Sequence, residues 1–488
     1  MDKIVFSHSY FLRFDPKQWS AGQPYAPLGT LYAAAVMRES GYKVSLFDSM
    51  FAKTADELIP IIEATRPDFF VLYDDGFNYL TKMCLTNMRE AAFKMIGYAK
   101  ERGCTVLVSG SDSTDRYEMY LDAGADFILM GEAEVTLQEL ITAITNGRQD
   151  FLPVSGIAFR HQNATVKTKR REVIRDLDAL PMPAWDIIDM EPYRSMWQQH
   201  AGYFSMNMGT TRGCPFKCNW CAKPIYGNRY NVRSPQHVIN ELLFLKAKYR
   251  FDHIWFCDDI FGLKPGWIHE FANLVQEQQL VFDFKIQCRA DLLLQEENIK
   301  DLARAGCSNI WMGAESGSQK ILDAMDKGTT VQQIQDATHL LKKHGIHPSF
   351  FIQFGYPGET KEDIALTVRM INNLLPYEVG ISVSYPLPGT IFFENVKSQL
   401  QQKTNWTDSD EMALMFRNTY QPAFYKQLHV FVHKNHRKHK ALEMMRQLIK
   451  HPVKLNYRNL RKALSYLYFL PAAFIEKYKL QQLQKPAT

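Results

Sequence analysis

Three cysteines near the middle of the chain have the residue type and spacing of metal ligands. Cys214, Cys218 and Cys221 form a C-x3-C-x2-C pattern in a loop that also holds a glycine and a proline. Three thiolates on one short loop can ligate three of the four irons of a cubane iron–sulfur cluster. The next cysteine, Cys257, lies at the end of another predicted strand. The fourth iron would therefore stay open to a substrate or cosubstrate.

Structural zinc is the alternative for this loop. A zinc site usually has four ligands, often as two cysteine pairs or a cysteine and histidine set. Here a second cysteine pair is missing, and the nearest histidines, His200 and His237, show no paired spacing. The chain has eight cysteines in 488 residues, so a disulfide framework is not expected. The pattern favours an iron–sulfur cluster over zinc.

The elements around the cysteine loop predict a barrel. Strands alternate with helices from residue 203 onward, and six βα units indicate a full or partial barrel with its chemistry at the carboxyl ends of the strands. The predicted strands are 204–211, 253–257, 282–288, 309–313, 347–354 and 379–385, and the clearest helices are 235–249, 295–305, 331–344 and 360–374. Polar groups follow these strands at Asp258-Asp259, Arg289, Glu315-Ser316, 355–360 and 385–390.

The first 150 residues predict a second sheet. Five short apolar strands alternate with helices there, which is typical of a doubly wound parallel sheet that binds ligands beyond its carboxyl edge. We therefore predict an α/β chain in four parts. They are a flavodoxin-like domain over 1–150, a connector over 151–202 that crosses in extended form, a partial (β/α)6 barrel over 203–390, and a helical basic region over 391–488.

The cysteine pattern, with the aromatic Trp220 before the last cysteine, resembles the motif of the radical S-adenosylmethionine (SAM) superfamily. The resemblance implies that the three cysteines hold a [4Fe–4S] cluster whose open iron chelates the amino and carboxylate groups of SAM. It also implies that an electron from the cluster cleaves SAM to a 5′-deoxyadenosyl radical. The residues that the resemblance places against SAM are Trp220, Asp258, Arg289, Gly313, Glu315 and Ser316.

Simpler roles remain open for several of these residues. Asp258 and Asp259 could be a helix N-cap or part of a surface loop. Glu315 could form an ion pair with Arg289. The glycines and proline of 355–358 could form a turn and have no further role.

The amino-terminal domain resembles the cobalamin-binding domain of B12-binding radical SAM proteins. The resemblance rests on residues 27–36, 41–44, 109–111 and 131–134, and on Leu-Pro-x-Pro-Ala-Trp-Asp at 180–186. Over about residues 1–390 the chain is similar to the group that contains the anaerobic magnesium-protoporphyrin IX monomethyl ester cyclase. The implied cobalamin contacts are Leu28, Gly29, Ser109, Gly110, Gly131 and Glu132.

One cobalamin motif is absent. The string Asp-x-His-x-x-Gly, whose histidine ligates cobalt from below, does not occur, and His8 has no aspartate or glycine at the matching positions. A domain that has lost cobalamin and serves only as a scaffold is therefore the alternative to a cobalamin-binding domain.

The net charge of +5 is unevenly distributed. Residues 426–462 hold eleven Lys/Arg and one acidic residue, so this segment carries +10 and the rest of the chain −5. It could be a solvated basic helix packed on the barrel, a wall of the substrate pocket, or a surface for an anionic or lipid substrate. No nucleic-acid-binding module accompanies the charge, so we expect no nucleic-acid partner.

The resemblance thus implies an enzyme that functionalises an unactivated carbon by methyl transfer or by an oxidative or cyclising step. The expected partners are a small hydrophobic or anionic substrate and an electron donor such as flavodoxin or ferredoxin. The chain shows no secretory signal and no run of 18 apolar residues, so we expect a cytoplasmic protein without a transmembrane segment. The alternatives are a radical SAM enzyme that does not use cobalamin and a non-catalytic cobalamin or redox sensor.

Overall fold

The computed structural model describes residues 2–83, 85–162, 164–223, 225–400, 405–454 and 456–483. The chain forms two compact units. The first comprises Met1–Phe216, Ala222–Ile286 and Asn405–Glu411, and the second comprises Lys217–Cys221, Gln287–Thr404 and Met412–Thr488.

The first unit contains a seven-stranded sheet with the order β2-β1-β3-β4-β5-β6-β7. Its strands are β1 (Lys3–Ser7), β2 (Lys43–Phe47), β3 (Phe69–Tyr73), β4 (Thr105–Ser109), β5 (Phe127–Leu129), β6 (Ile157–His161) and β7 (Ala164–Lys167). The first five are parallel, which confirms the predicted doubly wound sheet. All five residues of β3 are buried, as expected for a central strand covered on both faces.

The last two strands of this sheet lie in the segment that we predict to be an extended connector. β6 pairs antiparallel with β5, and β7 pairs antiparallel with β6. The buried apolar residues Ile157, Ala158 and Phe159 explain the difference, because they cover the sheet edge that β5 would otherwise expose.

Eight helices accompany this sheet in the described part of the first unit. They are α1 (Pro16–Ala21), α2 (Leu28–Glu39), α3 (Leu58–Thr65), α4 (Tyr79–Lys82), α5 (Thr86–Glu101), α6 (Ser111–Asp115), α7 (Tyr117–Asp122) and α8 (Glu134–Thr145). α2 is buried from Leu28 to Met37, which matches its almost wholly apolar sequence. Its alanines pack into the core with Ile4, Phe6 and Leu137.

The second sheet has six strands in the order β15-β14-β13-β12-β11-β8. They are β8 (Ser205–Met208), β11 (His253–Phe256), β12 (Asp283–Cys288), β13 (Cys307–Glu315), β14 (His347–Phe354) and β15 (Val379–Val383). Each strand corresponds to a predicted one, and the sheet confirms the partial barrel. β9 (Thr211–Arg212) and β10 (Asn231–Val232) form a short antiparallel ribbon on either side of the cysteine loop.

Within the described residues, eight further helices connect these strands or flank them. They are α9 (Glu191–Ala201), α10 (Pro235–Tyr249), α11 (Trp267–Glu277), α12 (Glu296–Arg304), α13 (Gln319–Ala324), α14 (Val331–Lys343), α15 (Lys361–Leu374) and α16 (Ile391–Val396). Thr330 and Thr360 begin α14 and α15 with reciprocal side-chain caps, and Ser234 caps α10. These local signals explain why the sequence-based bounds of the three helices are close to those observed.

The carboxyl-terminal region is helical, as predicted. Its helices are α17 (Pro422–Lys450), α18 (Tyr457–Leu464) and α19 (Tyr466–Gln482). α19 packs on α17, where Glu476 accepts hydrogen bonds from Gln427 at 2.7 Å and Lys434 at 2.7 Å. Within the described ranges, no helix has the length and apolar character needed to cross a bilayer.

Candidate functional site

The cysteine loop begins in the first unit. β9 leads into Gly213, whose φ of +81° lies in the left-handed region that favours glycine. A Cβ here would lie 2.2 Å from the carbonyl oxygen of Arg229, so another residue would force the backbone to move. Lys223 donates to the carbonyl oxygen of Cys214 at 3.0 Å and also to that of Phe216. These contacts fix the backbone around the first cysteine.

The other two cysteines, Cys218 and Cys221, belong to the second unit. The backbone N–H of Cys221 donates to the carbonyl oxygen of Cys218 at 3.2 Å, which closes a tight turn. Asn219 lies between them and is buried. Its side-chain amide donates to the carbonyl oxygen of Ala324 at 2.8 Å, and the hydroxyl of Tyr356 donates to its amide oxygen at 3.0 Å. The turn is thereby anchored to the end of α13 and to the loop after β14.

The chemistry of this donor set suits an iron–sulfur cluster. The seven cysteines that the structure describes are thiols rather than disulfides. Among the described residues, no group of three or more His, Cys, Asp or Glu side chains lies close enough together to hold a single metal ion. A cation does accompany Cys218, because Arg289 donates to its sulfur at 3.8 Å. A hydrogen bond to a cysteine sulfur is one of the features that set the reduction potential of an iron–sulfur cluster.

A buried ion pair lies beside Cys218. Lys327 donates to the carboxylate of Glu315 at 2.9 Å, and both side chains are less than a tenth exposed. Burial alone would lower the pKa of Lys327, but the charges of Glu315 and Cys218 outweigh burial and raise it. The lysine therefore keeps its proton. Its ammonium group also lies 5.8 Å from the centre of the Trp220 ring, within the range of a cation–π contact.

The backbone at the end of β13 is shaped around this ion pair. Glu315 has a φ of +56°, which is rare for a residue with a side chain, and the register with β14 shifts between Gly313 and Glu315. A Cβ on Gly313 would lie 2.6 Å from Nζ of Lys327 and 2.8 Å from Oε1 of Glu315. Backbone strain of this kind is found at binding sites. Gly313 thus leaves the room that the ion pair occupies.

Two other predicted SAM contacts have partners within the protein. Arg289 is buried after β12 and pairs with Asp291 at 3.0 Å, not with Glu315. Ser316 is fully buried, and its hydroxyl lies 3.1 Å from that of Thr367 on α15. In the second unit, Arg289 therefore lies near Cys218, whereas Ser316 holds the loop after β13 against α15.

Asp258 lies in the first unit and holds the backbone just before the cysteine loop. Its carboxylate accepts hydrogen bonds from the backbone N–H groups of Thr210 at 2.7 Å and Thr211 at 2.8 Å. Burial raises its pKa to about 7. Asp259 instead pairs with Lys82 at 2.9 Å. Asp258 is therefore neither a helix N-cap nor part of a surface loop, and its contact with SAM remains a prediction.

The six predicted cobalamin contacts lie in or beside the carboxyl edge of the first sheet. All six are buried: Leu28, Gly29, Ser109, Gly110, Gly131 and Glu132. The N–H of Gly29 donates to Asp75 at 3.0 Å. A Cβ on Gly110 would lie 3.0 Å from the Cβ of Asp74. Burial raises the pKa of both aspartates. The loop after β3 thus supplies two buried acids that pack against these glycines.

A buried arginine joins this edge to the strand before the cysteines. Arg212 donates to Glu132 at 2.6 Å and to Glu134 at 2.8 Å, and all three side chains are at most 4% exposed. The guanidinium also lies within 6 Å of the ring centres of Tyr32, Phe77 and Tyr226. Burial raises the pKa of Glu132, and Arg212 opposes that shift. One guanidinium group therefore forms ion pairs with two buried carboxyl groups.

Two observations bear on whether cobalamin fits here. His8 is held by its own domain, because its Nε2 lies 2.8 Å from Oδ1 of Asp48 and its Nδ1 lies 3.2 Å from Oγ of Ser49. By contrast, the second carboxylate oxygen of Glu134 is buried and has no hydrogen-bond partner among the described residues. Such an oxygen can accept an N–H from a carboxamide, the group that surrounds a corrin ring. The edge therefore offers cobalamin an acceptor and buried small residues, but no motif for binding the lower face of cobalt.

Family models match both halves of this arrangement. The model of the radical SAM superfamily matches residues 208–371, and the model of the B12 binding domain matches residues 19–141. The chain therefore combines a B12 binding domain with a radical SAM domain. The first match includes the three cysteines and Lys327, and the second includes all six predicted cobalamin contacts.

Two curated proteins illustrate the range of its relatives. This chain is 28% identical over 390 residues to an uncharacterized methyltransferase of Pyrococcus horikoshii, and the match covers 78% of this chain and 80% of that protein. It is 26% identical to the anaerobic magnesium-protoporphyrin IX monomethyl ester cyclase of Rubrivivax gelatinosus, covering 82% of this chain and 71% of the cyclase.

Two solved structures share its fold. The methyltransferase TsrM of Kitasatospora setae, with cobalamin and a [4Fe–4S] cluster bound, has a TM-score of 0.68 at 18% identity and covers 81% of this chain and 75% of its own. The cobalamin-dependent SAM radical enzyme OxsB, with aqua-cobalamin bound, has a TM-score of 0.74 at 15% identity. The match covers 98% of this chain and 72% of the OxsB chain. The cofactors of this B12-binding radical SAM enzyme are a [4Fe–4S] cluster, SAM and cobalamin.

Three residues around the site were not predicted from the sequence, namely Arg212, Asn219 and Lys327. Arg212 directly precedes Gly213, so a charge next to the loop is the one signal that could reveal it. Asn219 meets its partner 105 residues away, and Lys327 is separated from Cys218 by a similar stretch of chain. No local pattern marks such pairs.

Proposed function

We propose that this enzyme transfers a methyl group to an unactivated carbon of a small substrate, with Cys214, Cys218 and Cys221 holding the cluster. The observation that carries the proposal is the arrangement around Cys218, where Arg289 and the Lys327–Glu315 pair are buried beside a thiol of the loop. A methyltransferase among its relatives supports methyl transfer. Similarity to the cyclase over 82% of the chain supports a cyclising reaction as the second candidate.

In this proposal the cluster supplies the electron that cleaves SAM, and cobalamin carries the methyl group. The residues of the chain bind and orient. Arg289 offers a cation to the carboxylate of SAM, and Glu315 offers a carboxylate to its amino group. Lys327 positions the Glu315 side chain through their buried ion pair. Trp220 supplies a flat apolar wall, and its buried indole N–H has no hydrogen-bond partner in the part of the chain that the structure describes, so it can donate to a bound group.

Asp258 and Ser316 would act on SAM only through the backbone they hold. Asp258 fixes Thr210 and Thr211 at the entrance of the cysteine loop, and Ser316 fixes the loop after β13. A flavodoxin or ferredoxin would deliver the electron, because the reaction consumes reducing equivalents that SAM does not supply.

The proposal is tested by anaerobic reconstitution with iron, sulfide and hydroxocobalamin, followed by reduction and addition of SAM. We expect 5′-deoxyadenosine to form and a corrin absorption spectrum to co-elute with the protein. With candidate substrates, S-adenosylhomocysteine would accompany the 5′-deoxyadenosine if methyl transfer is correct, and 5′-deoxyadenosine alone would indicate the cyclising reaction. A protein that binds iron but neither cleaves SAM nor retains corrin would be a sensor.

Lys327→Gln should make the reduction potential of the cluster more negative, by on the order of tens of millivolts. The substitution removes a buried positive charge near Cys218, and positive charge favours the reduced, more anionic cluster. Glutamine retains an N–H donor for Glu315. The potential is measured by a redox titration monitored by electron paramagnetic resonance without SAM. Lys343→Gln, at an exposed lysine that pairs with Glu296, is the matched control. An equal potential in both variants would contradict the assignment.

A further inference from the structure

The carboxyl-terminal helices expose an unusual number of large apolar side chains. Of the 23 such side chains that are exposed in the described ranges, 12 lie between residues 449 and 483. They are Ile449, Val453, Tyr457, Leu460, Leu464, Leu467, Tyr468, Leu470, Phe474, Ile475, Tyr478 and Leu483. Single exposed apolar residues are normal on a protein surface, but a large exposed apolar patch marks a surface that binds something.

These side chains are aligned along the helices. In α18, Tyr457, Leu460 and Leu464 are separated by three and four residues, so they share one helix face. The apolar residues of α19 follow the same rule at positions 467, 470, 474 and 478. The buried residues of α19 lie on another face and are Ala473, Glu476 and Leu480. Glu476 accepts a hydrogen bond from Gln427 of α17. The apolar stripe of α19 is therefore not the face that it packs against its own unit.

The residues around the stripe are cationic. Residues 446–483 contain eight Lys/Arg and one acidic residue, Glu476, whose carboxylate is bonded to Gln427 and Lys434. The exposed cations are Arg446, Lys450, Arg458, Arg461, Lys462, Lys477 and Lys479. An exposed apolar face with a basic border matches the two components of an anionic lipid surface, acyl chains below and negative headgroups above.

We propose that α18 and α19 bind in the plane of a bilayer that contains anionic phospholipids. The binding surface, named here the C-terminal apolar face, consists of Tyr457, Leu460, Leu464, Leu467, Leu470, Phe474 and Tyr478. Its tyrosines suit the headgroup boundary, where an apolar ring with a polar hydroxyl is favoured. The helices lie on the membrane and do not cross it, in keeping with the lack of a spanning helix among the described residues.

Charge disfavours the two other occupants. A second copy of the chain would bring two strongly cationic surfaces together, and their like charges would repel. A nucleic acid would pair with the cations but would leave the leucines and Phe474 without an apolar partner. An anionic bilayer satisfies both features at once.

Vesicle flotation of the reconstituted full-length enzyme tests the proposal. We expect the protein to float with vesicles of phosphatidylcholine and phosphatidylglycerol, to stay in solution with pure phosphatidylcholine, and to dissociate in high salt. The triple variant Arg458→Gln, Arg461→Gln, Lys462→Gln should partition about a hundredfold less, since each cation near the surface is worth about fivefold. Leu467→Ser with Phe474→Ser should lower partitioning by at least about tenfold.

The controls are matched in exposure and charge. Val281→Ser changes an apolar side chain that is 80% exposed in the first unit, and Lys300→Gln removes an exposed cation of α12. Both should bind vesicles like the wild type. Every variant should retain its circular dichroism and its rate of SAM cleavage, which separates membrane binding from folding and from the proposed reaction.

Three results would overturn the proposal. The first is a wild-type protein that does not float with anionic vesicles. The second is binding that the charge and apolar variants leave unchanged. The third is a wild-type dimer in light scattering that Leu467→Ser with Phe474→Ser converts to a monomer, because the C-terminal apolar face would then be covered by a second copy.

Discussion

Cys214→Ala, Cys218→Ala and Cys221→Ala should each reduce 5′-deoxyadenosine formation to the level of an enzyme-free control. A cubane on this loop has three protein ligands, so removing one thiolate leaves a second iron without its ligand and the cluster is lost on purification. The measurements are iron and sulfide content after anaerobic reconstitution, the electron paramagnetic resonance signal of the reduced protein, and nucleoside formation from SAM. Iron content should fall together with activity in all three variants.

Two other buried cysteines provide the controls for this prediction. Cys104 lies in the first unit and Cys307 in the second, and both are thiols. Their alanine variants should bind iron and cleave SAM like the wild type. If Cys218→Ala kept four irons per chain and a wild-type rate, its assignment as a ligand would be wrong. If Cys104→Ala lost the cluster as well, general destabilisation would explain the result.

Arg212→Met should lower the free energy of unfolding by about 3–5 kcal/mol. The substitution keeps an apolar side chain against the surrounding rings but leaves two buried carboxyl groups without their cation. Glu132 would then ionise at higher pH in the folded than in the unfolded state, because burial raises its pKa and Arg212 would no longer oppose that shift. A carboxyl with a raised folded-state pKa contributes most stability at low pH, so the deficit should be larger at pH 8 than at pH 5. Urea unfolding of the protein without cofactors measures it.

A compensated variant and a surface control make this prediction specific. Arg212→Met combined with Glu132→Gln and Glu134→Gln removes all three charges and should recover most of the stability and abolish its pH dependence. Arg229→Met breaks an exposed pair with Glu172 and should cost less than about 1 kcal/mol. A loss in Arg212→Met no larger than that in Arg229→Met would show that the buried carboxyl groups do not depend on this cation.

The sequence is informative where structure is set by neighbouring residues. Apolar periodicity and helix caps place the elements of both sheets, because a helix start such as Ser234-Pro235 depends on residues a few positions apart. The cysteine loop is equally local, since its three thiols lie within eight residues. The antiparallel strands β6 and β7 were not predicted, because their place in the sheet depends on pairing with the edge of β5, which lies elsewhere in the chain.

The partners of the charged residues cannot be obtained in this way. Glu315 could pair with Arg289 by sequence reasoning, yet the structure pairs it with Lys327 and pairs Arg289 with Asp291. Both arginine and lysine are plausible partners for a carboxylate, so the sequence alone does not decide between them. Asp258 illustrates the same limit, because its position at a strand end is predictable but its hydrogen bonds to Thr210 and Thr211 are not.

The Arg212 cluster also bears on how such chains evolve. A lineage that stopped using cobalamin could not simply delete residues 1–150, because Arg212 would lose both of its carboxylate partners, Glu132 and Glu134, and two of its three aromatic neighbours, Tyr32 and Phe77. A chain without residues 1–150 would therefore be less stable than the present one. Selection for folding alone would therefore retain the amino-terminal domain. In this chain the amino-terminal domain therefore has a structural role beside that of binding cobalamin, because it supplies both carboxylates that pair with Arg212.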